Sequence, residues 1–146
     1  MEKVDNLLKR AGYSEERNVD ISAILHMYEE YGYHYNADQK QFIEKYAYLE
    51  IHYIHPIWKQ DMLLRLNPIE AQKTITMDVV EAYNEFLQDD LLIIGDIEKE
   101  NMTLFLSEKG FYFAGYDDCI INWGDNFEIM INKLIAGEKG ELQIMK

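Results

Sequence analysis

An α+β fold, with a central antiparallel β-sheet flanked by N-terminal helices and a C-terminal helix, is predicted by three features of this 146-residue sequence. Apolar residues recur at helical spacing before Leu49 and again after Asp125, while strand-like segments collect between them. The turns between consecutive strand candidates are short, which implies antiparallel pairing. Helices that precede and follow a run of strands, rather than alternate with it, mark an α+β order. The length suits one domain spanning residues 1–146, and 48% hydrophobic residues with only 2 Pro fit a globular chain with a sizeable core.

The first helix is expected over Glu2 to Ala11, with Val4, Leu7, Leu8 and Ala11 on one face and Gly12 as its stop. Asp20 is placed to cap a second helix, whose inner face is Ile21, Ile24, Leu25 and Tyr28 and which ends at Gly32. Tyr31, Tyr33 and Tyr35 then form an aromatic run. Asn36 with Gln39 makes the reciprocal capping pair of a third helix, which turns Phe42, Tyr46 and Leu49 inward.

From Leu49 to His55 the period changes to two, with Leu49, Ile51, Tyr53 and His55 on one side, and Pro56 closes the strand. Asp61 to Leu66 is a second strand, Asn67-Pro68 a turn, and Ile69 to Met77 a connection without a clear pattern. Asp78 with Glu81 is expected to open a fourth helix, striped by Val79, Val80, Tyr83, Phe86 and Leu87.

Leu91 to Ile97 is a continuous apolar run, as expected of a central strand covered on both faces. Met102 to Ser107, Phe111 to Tyr116 and Cys119 to Asn122 follow as strands. Their turns fall at Glu98 to Asn101, at Glu108-Lys109-Gly110 and at Asp117-Asp118. Asp125 with Glu128 is read as the cap of a last helix, with Phe127, Met130, Ile131, Leu134 and Ile135 as its stripe. Beyond Gly137 the sequence reads as a loose tail.

The formal charge is -13, and its placement is uneven. Between Asp78 and Glu128 there are 13 acidic residues against Lys99 and Lys109, a net of -11. Such a surface repels nucleic-acid phosphate and anionic lipid, and it speeds the capture of a basic partner. No apolar run approaches the roughly 20 residues that span a bilayer. MEKVDNLLKR lacks the apolar stretch of a signal peptide, and the single cysteine, Cys119, fits the cytoplasm.

Catalytic constellations are not evident. His52 and His55 lie three apart on a strand and point to opposite faces, so they do not form a shared metal site. Asp96, Glu98 and Glu100 lack the glycine and terminal glutamate of a calcium loop. Cys119 has no second cysteine for a zinc pair. No glycine-rich phosphate loop and no serine nucleophile elbow are present.

Gly12-Tyr13 followed by Arg17, Val19 and Asp20 resembles the opening of the third subgroup of the SUKH superfamily. Ile94-Gly95, Asn101-Met102-Thr103-Leu104, Glu108-Lys109-Gly110, Gly115-Tyr116-Asp117-Asp118 and Gly124-Asp125-Asn126-Phe127 follow in the same order, so the likeness runs from about Gly12 to Gly137. Glu16 stands where the pattern favours Gly, and Tyr13 where it favours Trp. The resemblance implies an immunity protein with a central antiparallel sheet, no cofactor and no catalysis. Its implied partner is a cognate bacterial polymorphic toxin, frequently a nuclease, met in the cytoplasm by protein–protein contact without nucleic acid or membrane. A regulatory interaction module that binds a cellular protein is the alternative the same superfamily implies.

Charge and resemblance together nominate a partner-binding set. Asp89, Asp90, Asp96, Glu98, Glu100, Asp117 and Asp118 supply the acidic field, with Tyr112, Tyr116 and Trp123 as aromatic anchors.

Overall fold

Seven strands in sequence order, each antiparallel to the next, make up the only sheet among the residues described. The computed structural model describes residues 3–145. Three helices lead in: α1 (Val4–Arg10), α2 (Ser22–Tyr31) and α3 (Ala37–Tyr46). The first hairpin, β1 (Glu50–Ile54) and β2 (Asp61–Arg65), is followed by α4 (Pro68–Gln72) and α5 (Met77–Leu87). The meander continues through β3 (Leu91–Ile97), β4 (Met102–Ser107), β5 (Tyr112–Tyr116) and β6 (Cys119–Asn122), and ends with α6 (Phe127–Ala136) and β7 (Glu141–Ile144).

The register sorts side chains onto two faces. Ile51 pairs with Leu64, Leu64 with Ile97, Leu104 with Ala114, Ala114 with Ile121, and Ile121 with Leu142, so these residues share one face. Rings of Phe42 from α3 and Phe127 from α6 meet Tyr112 on that face, with centroids 5.5 and 5.6 Å away. On the opposite face, α5 lays Tyr83 edge-on against Phe105. There Gly115 is required by close approach: a Cβ at that position would lie 2.6 Å from the Tyr83 ring. All seven residues of β3 are buried, as expected of a strand covered on both sides.

Several polar groups inside the helical layer are tied off. Tyr28 donates its hydroxyl to Ile93 O at 2.6 Å, and Gln39 Nε2 donates to Leu106 O at 2.9 Å. The Asn36 capping box forms in both directions, Gln39 N to Asn36 Oδ1 and Asn36 N to Gln39 Oε1. Arg17 donates to the carbonyls of Lys45 and Ala47 at the end of α3, where the helix leaves acceptors unfilled.

Several local expectations shift. The start of the first helix at Glu2 lies outside the described residues. Asp20 sits one residue before the cap position Ile21, although its carboxylate still accepts from Ser22 N. Helix α5 is capped at Thr76 and places Asp78 in its first turn. Helix α6 is capped by Asn126, whose Oδ1 accepts from Ile129 N, rather than by Asp125. The connection after Asn67 contains α4, because Asn67 Oδ1 caps Glu70 N and Pro68 takes the first helical position. The expected loose tail is instead β7, paired along all of β6. Leu142 and Ile144 alternate with Glu141 and Gln143, the period of a strand.

Candidate partner-binding surface

The ten nominated residues do not form one surface. Asp89 and Asp90 precede β3, whereas Asp96, Glu98 and Glu100 fall at or beyond its other end. Seven residues at about 3.3 Å each separate the two groups by roughly 20 Å. Around Asp89 and Asp90 the turn binds itself together: Lys109 N donates to Asp89 Oδ1 and Lys109 Nζ to Gln88 O.

At the far end, the Glu98–Glu100 turn and the Asp117-Asp118 turn lie side by side, because Thr103 pairs with Gly115 and Tyr116 with Cys119. Glu98, Asp117 and Asp118 are exposed. Asp117 adopts a left-handed backbone (φ 49°), which Asp tolerates better than most residues and which the two-residue hairpin turn favours. Its carbonyl accepts from Tyr83 OH at 2.7 Å, so this turn is pinned to α5.

Asp96 is buried and engaged. Its two carboxylate oxygens accept from Arg65 Nε at 3.2 Å and Arg65 Nη2 at 2.9 Å, a bidentate pair between directly opposed residues of β2 and β3. That bond holds the Arg65 guanidinium above its ordinary pKa. Tyr112 lies in the core beneath Phe42 and Phe127.

Glu100, Tyr116 and Trp123 come together elsewhere, in a groove of about 550 Å³ on the face opposite α5. Its floor is sheet, from Tyr53, Met102, Ala114 and Ile121. One wall is the β1–β2 loop with His55 and Trp58; the other is the end of α6 and Leu142 of β7. Gly137 ends α6 with φ +72°, and its Cα sits so near Pro56 that a Cβ would meet Pro56 Cγ at 2.7 Å. The helix end thereby abuts the loop.

The groove is rimmed by apolar surface that the fold leaves open: Ile57 is 71% exposed, Trp58 56%, Leu142 56% and Tyr116 46%. Trp58 stacks on His55 at 4.0 Å with planes 9° apart. His55 Nδ1 accepts from Ile57 N and Trp58 N, which puts the ring proton of the neutral imidazole on Nε2. Nε2 faces Glu100 Oε1 at 3.8 Å. Burial pushes the Glu100 carboxyl above its ordinary value, and His55 only partly opposes this. The loop side of this groove was not nominated from sequence. Adjacent large apolar residues, Ile57-Trp58, directly after Pro56 in a hairpin loop were the signal available.

Among the described residues, no group of three or more His, Cys, Asp or Glu side chains could hold a metal ion. No helix among them is long and apolar enough to cross a membrane.

Fold and surface together define an α+β meander domain with helices on both faces and its exposed features at hairpin tips and in one apolar groove. A family model of the SUKH-3 immunity protein matches residues 1–137, and the chain belongs to that family. Its role is accordingly that of an immunity protein. Comparison with curated proteins and with solved structures found no match.

Proposed function

We propose that this chain protects its cell by binding a cognate polymorphic toxin domain directly, in the cytoplasm and without catalysis, and that the toxin domain is a basic nuclease. The observation that carries the acidic part of this reading is the pair of neighbouring turns bearing Glu98, Asp117 and Asp118, exposed and accompanied only by Lys99 within their own sequence. A nuclease presents cationic groups where phosphate binds, and carboxylates can occupy them in place of substrate. Close charge pairs across such interfaces couple by about 1.5–7 kcal/mol. Turn residues already fixed by the sheet lose little conformational entropy on binding. Asp89 and Asp90, at the other end of the sheet, would have to meet a separate part of the partner.

Co-expression with the toxin encoded beside it is the direct test. The wild-type chain is expected to restore growth, and continued killing despite soluble expression would overturn the reading. Replacing Asp117 with Asn, which keeps a residue tolerant of the left-handed backbone, and Asp118 with Lys should weaken toxin binding tenfold or more at unchanged melting temperature. Unchanged affinity would move the contact surface away from this turn.

A further inference from the structure

We propose that the groove beneath Trp58 receives the cationic side chain of an arginine or lysine carried on a peptide segment of the protein partner, with Glu100 as its counter-charge. The choice of partner rests on the immunity reading above; the chemistry of the site does not.

Four observations converge. First, the groove combines aromatic surface with one inward carboxylate. Tyr53, Trp58, Tyr116 and Trp123 all line it. Ring faces attract a cation electrostatically, and more strongly where water is excluded. An uncharged occupant would leave Glu100 desolvated without compensation, which costs free energy. A cation recovers that cost.

Second, Glu100 is held but not consumed. At 3.8 Å the contact with His55 Nε2 is longer than a hydrogen bond. Because His55 Nδ1 is occupied by two backbone donors, the imidazole positions Trp58 and presents its Nε2 proton toward Glu100. Glu100 retains accepting capacity for a guanidinium or ammonium.

Third, the two buried side-chain polar atoms without a hydrogen-bond partner among the described residues both belong to residues lining this groove: Tyr53 Oη and Trp123 Nε1. Tyr53 is 6% exposed and Trp123 5%. The Trp indole only donates, whereas the Tyr hydroxyl can do either. A peptide carrying a cation offers both complements, a backbone carbonyl for Trp123 and an N–H for Tyr53. Neither atom reaches bulk water in the free chain, so filling the groove requires a small rotation of these rings.

Fourth, charge selects the occupant. With a formal charge of -13, and with Glu138 on the lining and Glu141, Asp117 and Asp118 close by in sequence or on its edge strands, against the single lining cation Lys139, a second copy of this chain is repelled while a basic segment is drawn in. A bare metal ion is not the better occupant, because among the described residues no group of three or more His, Cys, Asp or Glu side chains is placed to hold one.

The chain contains two tryptophans, Trp58 and Trp123, and both line the groove, so intrinsic fluorescence reports on it directly. The full chain is titrated with N-acetyl-argininamide, N-acetyl-leucinamide and N-acetyl-glutaminamide as cationic, apolar and uncharged polar probes. A saturable change with the arginine probe, at least fivefold tighter than with the leucine probe, supports the site. Glu100→Gln should weaken the arginine probe about tenfold and leave the leucine probe unchanged. Equal response to arginine and leucine probes, or an arginine response that survives Glu100→Gln, overturns the proposal. Trp58→Ala, at an exposed position, serves as a second variant with an unchanged melting temperature as its control. Sedimentation that shows concentration-dependent dimers lost in Trp58→Ala would assign the groove to a second copy and overturn it as well. With the adjacent toxin, Glu100→Gln is expected to weaken binding independently of the Asp117/Asp118 variant. Toxin affinity untouched by Glu100→Gln would overturn the toxin as occupant, whereas loss of protection by the wild-type chain itself would sink the immunity reading and leave the probe results standing.

Discussion

The two faces of the sheet are finished differently. Under α5 the surface is closed: Tyr83 fills the space above Gly115, and its hydroxyl ends on Asp117 O. Tyr28 likewise ends on Ile93 O within the helical layer. On the other face α6 covers only part of the sheet, and past Gly137 the chain leaves to form β7. What remains is a groove with open rings, a desolvated carboxylate and two unpaired polar atoms. A scaffold that satisfies buried hydroxyls at the helices and leaves them unmet at one groove directs attention to the groove, because unmet buried polar groups cost free energy that folding alone does not recover.

The largest effect should come from filling the closed face. In Gly115→Ala the new methyl meets two Tyr83 ring carbons at 2.6 and 3.0 Å and the hydroxyl oxygen at 3.1 Å, and the side chain cannot swing away without breaking its bond to Asp117 O. A loss near the upper end of about 1–3 kcal/mol is expected by thermal or urea unfolding. A neutral result would show that α5 slides freely on the sheet and that this face is not closed.

A smaller, sharper contrast uses two buried tyrosines. Tyr28→Phe removes a buried donor to Ile93 O, and should cost roughly 1–2 kcal/mol. Tyr53→Phe removes a hydroxyl that has no partner, and should cost nothing or stabilise slightly. Equal losses in the two variants would mean that Tyr53 Oη is satisfied in the free protein, and the distinction between the faces would fail at that atom.

How much of this was legible in the sequence follows the same division. The order of helices and strands apart from α4 and β7, the Asn36–Gln39 box and the fully buried Leu91 to Ile97 strand could be read because periodicity and capping are local. The residues that carry the family likeness prove to be turn and tether chemistry. Asn101, Gly110, Asp117 and Gly124 take positive φ, and Arg17 binds the end of α3. They mark the scaffold and were therefore visible as a series. Helix starts slipped by one residue where two candidate caps adjoin, as at Asp125-Asn126, because only the backbone geometry decides which side chain reaches the N–H group. The acidic block looked continuous along the chain, yet a strand about 20 Å long divides it. Asp96 looked free, yet its Arg65 partner lies 31 residues earlier. The groove joins β1, the β3–β4 turn, β5, β6 and β7. No local pattern brings Trp58 to Leu142; only the meander does.

The smallest effect is also the one that separates stability from function. Burial raises the Glu100 carboxyl above its ordinary 4.5, with His55 opposing in part. A carboxyl raised in the folded state stabilises the protein only when protonated. That contribution is complete below the ordinary value and is lost as pH rises through the raised one. Above that raised value Glu100 is ionised at the fold's expense. Glu100→Gln should raise the melting temperature most at alkaline pH, and the gain should shrink as pH falls through the raised value and vanish below about 4.5. The same variant is expected to lose the arginine probe. A substitution that strengthens the fold while weakening capture is the behaviour of a group retained for binding. If Glu100→Gln instead destabilised the protein at pH 7, the carboxylate would be serving the β1–β2 loop through His55, and the groove would be part of the scaffold.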